Sequence, residues 1–280
     1  MTKQKKILVV IPARNEEEFI GKTIESLGKQ KPKPTKVIII NDGSTDKTGQ
    51  IAQKAAEKAK LNFKIIDRKD RGYTALGLAT LANVYNDGFK AVNLKDYDFM
   101  VVNGADALME SNYFEIMLKY FEAEPKLVIA SGLCPGEGIN VNHVHGSAGR
   151  FYRMDFFRVA CKGRYEISYA WESVPIFIAN VNGLIAKSYQ KPIVYHLRPR
   201  NTRAKDSIFI LRGAAMREVG YWFPYAMGRC LLTAYRRKRL KAGLLMFIGF
   251  IRGKPSKQRL ELAKQYRKYQ IKLVRRILFN

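Results

Sequence analysis

The feature that most limits what this chain can become is a pair of uniformly apolar runs, each cut off by a cluster of polar, turn-forming residues. Ile7-Leu8-Val9-Val10-Ile11 ends at Pro12-Ala13-Arg14-Asn15-Glu16, and Val37-Ile38-Ile39-Ile40 ends at Asn41-Asp42-Gly43-Ser44. A β-branched run without polar alternation describes a strand buried on both faces, and such strands occur in parallel sheets covered by helices on either side. The segments after them agree. Phe19, Ile20, Thr23, Ile24 and Leu27 recur at helical spacing, and Asp46-Lys47-Thr48 opens a second helix through about residue 60.

The alternation continues along the chain. Phe63 to Asp67 reads as a third strand, Thr74 to Asn86 as a helix, and Phe99 to Val102 as a fourth strand ending at Asn103-Gly104-Ala105-Asp106. Leu127 to Ser131 reads as a further strand, residues 135–150 as a loop rich in Gly, Asn and His, Trp171 to Asn182 as a helix stopped by Gly183, and Ile193 to His196 as a short strand. Strands and helices alternating in units of this size predict an α/β fold with a mostly parallel, Rossmann-like sheet flanked by helices. Ligands of such sheets sit beyond the carboxyl ends of the strands. Three of those ends carry the polar clusters, so the candidate site is there.

Composition narrows the class. At 280 residues the chain suits one α/β domain with an appendage, and its hydrophobic fraction of 47% is that of a globular protein. No stretch approaches the roughly 20 apolar residues of a spanning helix, and the first apolar run is too short for a secretory signal. A cytoplasmic location is the expectation. Cys134, Cys161 and Cys230 lack metal-ligand spacing and suit reduced thiols without an assigned role. The net charge of +26 implies a polyanionic partner: nucleic acid, anionic lipid or a phosphorylated substrate. From Trp222 to Asn280 there are sixteen Lys or Arg against the single acid Glu261.

That tail also has aromatic and apolar segments. Tyr221-Trp222-Phe223-Pro224-Tyr225 is an aromatic cluster of interfacial type, and Ala242 to Ile251 is apolar but only about half a bilayer long. Basic residues flank it, and Tyr266 to Phe279 is a second basic amphipathic segment. The division expected is residues 1–220 as a catalytic domain and 221–280 as a basic helical extension lying on an anionic membrane surface. An ordinary helical cap on the domain is the alternative.

Asp42 at a strand tip can accept hydrogen bonds from a nucleobase, and Gly43 lets backbone turn close to a ligand; Asp42 as a turn cap is the plainer role. The segments Ile11 to Glu17 and Ile40 to Asp46, in this order and spacing, resemble the nucleotide-binding signature of the family 2 glycosyltransferases, which have the GT-A fold. The resemblance covers roughly the first two hundred residues. It implies that Pro12, Ala13, Arg14, Glu16 and Ala105 line a nucleotide pocket and that Asp42 meets the base. It further implies a divalent metal, Mn²⁺ or Mg²⁺, on the donor diphosphate, held where the family has Asp-x-Asp. Here the first of those positions is Gly104 and the second is Asp106, whose alternative role is a helix cap. His196, on the strand after the acidic motif, is the implied second metal ligand, with Arg198 near the diphosphate.

Near the acceptor the family has a Gly-rich segment with an Arg, matched by His145 to Arg153, and then an acidic pair. The second acid is replaced here by Ser173, which leaves Glu172 as the implied catalytic base, with a salt bridge as its alternative. Trp171 is the implied sugar platform, Arg150 and Arg153 the implied phosphate contacts, and His143 and His145 are loop residues able to touch substrate. The activity so implied is inverting transfer of a sugar from a nucleotide diphosphate-sugar to a membrane-associated acceptor, a polyprenyl-phosphate or lipid-linked saccharide, at the inner face of the cell membrane. Two readings compete: a protein that binds nucleotide sugar without turnover, suggested by Gly104 and Ser173, and a basic nucleic-acid-binding protein, disfavoured because no nucleic-acid module is present. Neither the sugar nor the oligomeric state is fixed by the sequence.

Overall fold

The structure, a computed structural model, describes residues 4–75, 78–135, 144, 148–198, 206–255 and 260–279. His143, His145 and the stretch from Pro199 to Arg200 lie outside the described residues. The chain divides into two compact units, one of residues 1–76, 81–165 and 183–200, the other of 77–80, 166–182 and 201–280.

In the first unit the elements follow in order: β1 (Ile7–Ala13), α1 (Ile20–Gly28), β2 (Lys36–Asn41), α2 (Thr48–Lys58), β3 (Phe63–Asp67), α3 (Leu81–Lys90), β4 (Phe99–Val102), β5 (Ala107–Met109), α4 (Tyr113–Ala123), β6 (Leu127–Leu133), β7 (Arg150–Arg153) and α5 (Met154–Ala160). α6 (Val174–Val181) belongs to the second unit, and β8 (Ile185–His196) returns to the first. The strands form one sheet in the order β3-β2-β1-β4-β7-β6-β8-β5. β3, β2, β1 and β4 run parallel, as their apolar runs predict, whereas β7 is antiparallel to both β4 and β6. β8 pairs in parallel with β6 and antiparallel with β5.

The alternation of side chains across the strands supplies two cores. Val9, Ile11, Val37, Ile39 and Val101 face α1, α2 and α4, where Ile20, Ile24 and Leu27 supply the i, i+4, i+7 stripe of α1. Leu8, Val10, Ile38, Ile40 and Met100 are equally buried on the opposite face. An aromatic cluster of Tyr85, Phe89, Tyr152, Phe157 and Tyr165, with edge contacts at 5.1 to 5.6 Å, covers part of that face. Burial on both faces explains why these strands carry no polar alternation.

The structure differs from the sequence reading in three places. The helix expected from Thr74 starts at Leu81 and continues past Asp87-Gly88 to Lys90, because a Cβ-less residue at Gly88 lets α3 lie against Val10 and Ile40 of the sheet. The helix expected from Trp171 starts at Val174, with Pro175 in its first turn, where its missing N–H costs nothing. The short strand expected at Ile193 is the last third of the twelve-residue β8.

The second unit is helical. α7 (Asp206–Glu218), α8 (Phe223–Arg236) and α9 (Leu240–Arg252) enclose Phe209, Met216, Cys230, Met246 and Phe250. A Cβ on Gly213 would fall 1.9 Å from the Met246 carbonyl oxygen, and one on Gly249 2.0 Å from that of Ile210, so glycine sets how closely α7 and α9 meet. α10 (Leu260–Phe279) packs on α6 through Tyr266 and Phe177, whose rings lie 4.0 Å apart. The helical body thus begins before the change in sequence character at Gly220.

Candidate active site

The carboxyl ends of β1 and β2 are joined side by side. Pro12 and Ala13 pair with Ile40 and Asn41 in the ladder, and the Asp42 amide donates to the Ala13 carbonyl at 2.8 Å. Beyond them the two loops interlock: Thr45 N–H donates to Asn15 Oδ1, Asn15 N–H to Ser44 Oγ, and Glu16 N–H to Thr48 Oγ1. Gly43 has φ +69°, and a Cβ there would lie 2.5 Å from Asp70 Cα, so only glycine fits this turn.

Arg14 holds this turn. Its Nη1 donates to the carbonyls of Asp42 and Gly43 at 2.6 and 2.8 Å, and its Nη2 to Asp70 Oδ1 at 2.6 Å. The Arg14 guanidinium holds the Asp70 carboxyl below the usual range. Arg14 therefore shapes the turn after β2 with the donors expected to meet a ligand.

The buried Asp42 carboxylate is gripped from the β3 side. Arg68 Nη1 donates to Oδ1 at 2.8 Å, Arg71 Nη2 donates to Oδ2 at 2.5 Å, and Arg68 Nε also pairs with Asp87 at 3.1 Å. Each carboxylate oxygen retains acceptor capacity. Arg71 Nε is buried without a hydrogen-bond partner among the described residues. A buried donor left without a partner beside the Asp42 carboxylate is a local cost that the surrounding ion pairs offset. Sequence reasoning missed Arg68 and Arg71, although Arg68 follows the last residue of β3 and so stands at a strand's carboxyl end.

The third strand end carries Asp106. Asn103 is buried; its amide donates to the Ala107 carbonyl at 2.9 Å and its Oδ1 accepts from Gly149 N–H at 2.9 Å. Thr23 of α1 donates to the Ala105 carbonyl at 2.8 Å. The loop is thus tied down from both sides, with Ala105 buried beneath it. β5 pairs Ala107 with His196, which brings Asp106 and His196 together across the ladder, Oδ1 to Nδ1 at 3.7 Å. The imidazole beside it holds the Asp106 carboxyl below its ordinary range, and Asp106, then the Cys134 thiol, raise His196 to about 10 against the penalty of burial. Cys134, which the sequence left without a role, is therefore a neighbour of this pair.

Glu16 and Arg198 complete the cluster. Arg198 Nη2 donates to Glu16 Oε2 at 2.6 Å, and its guanidinium lies over the Phe19 ring at 5.3 Å. Desolvation raises the Glu16 carboxyl, opposed by Arg198 and reinforced by the negative charge of Asp106.

A proton held by His196 to about pH 10, against about 6.5 in the unfolded chain, contributes stability that is complete below the unfolded value. That contribution is lost as pH rises through about 10. In ¹⁵N spectra of the ligand-free protein both ring nitrogens of His196 should remain protonated at pH 8, and a ring that has lost a proton there contradicts the pairing with Asp106.

Among the described residues no group of three or more His, Cys, Asp or Glu is placed to hold a metal. Asp106 and His196 offer one carboxylate oxygen and one imidazole nitrogen, which fits two positions of a hard cation whose other positions come from phosphates and water. Such a cation would neutralise charge developing on a departing diphosphate. His196 must give up its proton to ligate, so binding releases a proton.

The other expected contacts part company. β7 is antiparallel to β4, so its amino end lies at the carboxyl end of β4 and its carboxyl end lies at the far side. Arg150, paired with Val102, is at the site's end of the sheet but buried, donating to the Tyr152 hydroxyl at 3.2 Å. Arg153, paired with Phe99, is at the opposite end, and its guanidinium donates to the carbonyls of Leu127 and Phe121 at 2.7 and 2.6 Å. Arg153 secures the end of α4 and is not the phosphate contact expected of it. Trp171 and Glu172 lie in the second unit, in the turn leading to α6, where the Trp171 backbone N–H donates to the Ser168 carbonyl at 3.2 Å. Trp171 is buried and Glu172 is half-buried.

The chain is similar to known proteins in sequence and in fold. The sequence profile of the family described as Glycosyl transferase family 2 matches residues 8–182. The chain is 29% identical over 127 residues to the poly-β-1,6-N-acetyl-D-glucosamine synthase of Staphylococcus aureus (strain COL), covering 45% of this chain and 28% of that protein. It is 30% identical over 125 residues to the putative glycosyltransferase EpsH of Bacillus subtilis (strain 168), covering 45% and 33%. The chain spans no more than a third of either relative. Two solved structures share the fold at low identity: the mannosyltransferase PcManGT from Pyrobaculum calidifontis in complex with GDP-Man and Mn²⁺, with TM-score 0.59, 14% identity, and 98% and 76% of the two chains covered; and S. aureus TarS 1-349 in complex with UDP-GlcNAc, with TM-score 0.58, 15% identity, and 96% and 81% covered. With a profile match over most of its length and the α/β GT-A architecture around the site, the chain belongs to glycosyl transferase family 2.

Proposed function

We propose that this chain is an inverting glycosyltransferase that moves a sugar from a nucleotide diphosphate-sugar to a membrane-associated acceptor. The observation that carries the reading is the sharing of one sheet edge by two chemistries. Asp42, an acceptor at the carboxyl end of β2, is suited to a nucleobase, and Asp106 with His196 is suited to a metal-bound diphosphate. Pro12, Ala13 and Ala105 are the residues we assign to the nucleotide pocket, and Arg198, held in place by Glu16, is the cation we assign to the departing phosphates. The donors named with the structural neighbours, GDP-mannose and UDP-N-acetylglucosamine, set the classes to try first.

Inversion requires one displacement at the anomeric carbon, with a base removing the acceptor's proton as the bond forms. Glu172 is the carboxylate we assign to that step, on the strength of its place in the family's acidic motif. A polyprenyl-phosphate or lipid-linked saccharide is the acceptor class, because the excess of basic residues in the tail suits an anionic membrane. Among the described residues no helix is long and apolar enough to cross a membrane. Residence at the inner face of the cell membrane by surface attachment is part of this proposal.

The test is release of nucleoside diphosphate from UDP-, GDP- and dTDP-sugars with Mn²⁺ and a lipid-phosphate acceptor. Turnover from one nucleotide class supports the reading, and none from any donor overturns it. Binding without turnover is the second reading, favoured by Gly104 standing where an acid is expected. Loss of turnover in Glu172→Gln with donor binding unchanged removes it.

A further inference from the structure

α9 is apolar on every side. Between Lys241 and Arg252 it carries no charged residue, yet only one face is enclosed. Ala242, Gly243, Met246, Gly249 and Phe250 are buried among the residues of α7 and α8. Leu240, Leu244 and Ile251, spaced i, i+4 and i+11, form the opposite stripe, and all three are exposed, Leu240 to 85%. A helix apolar all round is ordinarily enclosed all round. The exposed stripe of α9 therefore lacks a partner among the described residues.

The end of α8 repeats the pattern. Leu231 and Tyr235, four residues apart, are 66% and 82% exposed, and Leu232 beside them is exposed as well. Arg229 and Arg236 flank that face. Between the two apolar faces runs Arg236-Arg237-Lys238-Arg239-Leu240-Lys241. Arg239 and Lys241 each pair with Asp206 at 2.7 Å, while no acidic partner of Arg236, Arg237 or Lys238 is recorded among the described residues.

We infer that the α8–α9 corner is a docking surface for an anionic lipid bilayer, with Leu231, Tyr235, Leu240, Leu244 and Ile251 entering the acyl boundary and the basic turn meeting headgroup phosphates. Charge complementarity selects this occupant: the partner must satisfy exposed hydrocarbon and unpaired cations at once, and an anionic membrane interface offers both. The thirteen residues of α9 span about 20 Å at 1.5 Å per residue, short of the roughly 30 Å hydrocarbon core, so the helix lies on the membrane. The inference rests on the proposed membrane-borne acceptor for its purpose, but its test does not require catalysis.

The experiment is flotation of the whole chain with vesicles of phosphatidylcholine alone or mixed with phosphatidylglycerol, for the unaltered protein, Leu240→Glu with Leu244→Glu, and Arg236→Glu with Lys238→Glu. Donor-induced thermal stabilisation, read in solution, separates failure of this inference from failure of the enzymatic one. We expect binding to the anionic vesicles, and a loss of about tenfold or more in the Leu→Glu variant, because two apolar anchors become charges at the interface. The Arg/Lys→Glu variant should lose binding at low salt. The unaltered protein should retain part of its binding at about 0.5 M salt, where screening shortens to about 4 Å. Equal binding to neutral vesicles, undiminished binding by the Leu→Glu variant, or retention on DNA without vesicle binding overturns the inference. So does a dimer that the Leu→Glu variant splits in the absence of vesicle binding, which would give the stripe to a second copy of the chain.

Discussion

Asp106→Asn is expected to lower sugar transfer by about 10³-fold while leaving the fold intact, an effect of the size seen when a group aimed at developing charge is removed. The replacement is nearly isosteric, and the loop that carries it is held independently by Asn103 and Thr23. What changes is charge. Asp106 is held ionised by His196, and the amide removes both the anionic oxygen for a metal and the partner that keeps His196 protonated. Two consequences should follow together. Mn²⁺ should cease to strengthen donor binding, and the His196 imidazole should titrate much closer to its ordinary value. A variant that keeps metal-dependent transfer places the metal elsewhere. One whose melting temperature falls as far as its activity shows Asp106 to be a structural cap, the plainer role its sequence position allowed.

The second large effect concerns stability. Gly132→Ala is expected to destabilise the first unit by about 3 kcal/mol, near the upper end of ordinary overpacking costs, and to lower its melting temperature by about 10 °C. Gly132 lies on β6 where it meets β8, and a Cβ there would be 2.0 Å from the Pro192 carbonyl oxygen and 2.8 Å from the Tyr113 ring. The carbonyl is backbone and cannot rotate away, so the strands must separate. Tyr113 cannot yield freely, since its buried hydroxyl accepts the Gly132 N–H at 2.7 Å and donates to the Gly149 carbonyl at 2.8 Å. Because β8 ends at His196, the same shift should weaken metal-dependent donor binding. Thermal unfolding of the variant decides the matter, and an unchanged midpoint contradicts the close approach of β6 and β8.

These cases indicate where the sequence was informative. β1, β2 and β4 are apolar on both faces and could be read directly, as could the polar clusters that end them. β5 has three residues and β7 four, too few for a period to register, and β8 has Lys187 and Gln190 at less buried positions and a buried polar Ser188 that pairs with the Ser131 hydroxyl. The antiparallel strand misled the reading of Arg153: a basic residue near a glycine-rich segment suggests phosphate, but strand direction decides which end of the sheet it reaches. Asp42, Asp106 and His196 were singled out from the resemblance, and the sheet brings the last two together. Arg68, Arg71 and Cys134 were not, since their contacts with Asp42 and His196 come from which neighbours the sheet order brings to them.

The most direct test of the account is thermal stability of the unaltered chain and of Asp106→Asn with UDP-, GDP- and dTDP-sugars, each with and without Mn²⁺. A ligand at a hundredfold its dissociation constant stabilises the folded state by about 2.7 kcal/mol, which such a scan resolves. The account predicts stabilisation of the unaltered chain by one nucleotide class, enlarged by Mn²⁺, with the enlargement absent in Asp106→Asn and the metal-free part retained. Stabilisation by no nucleotide sugar, or a Mn²⁺ enhancement that survives in Asp106→Asn, would contradict it.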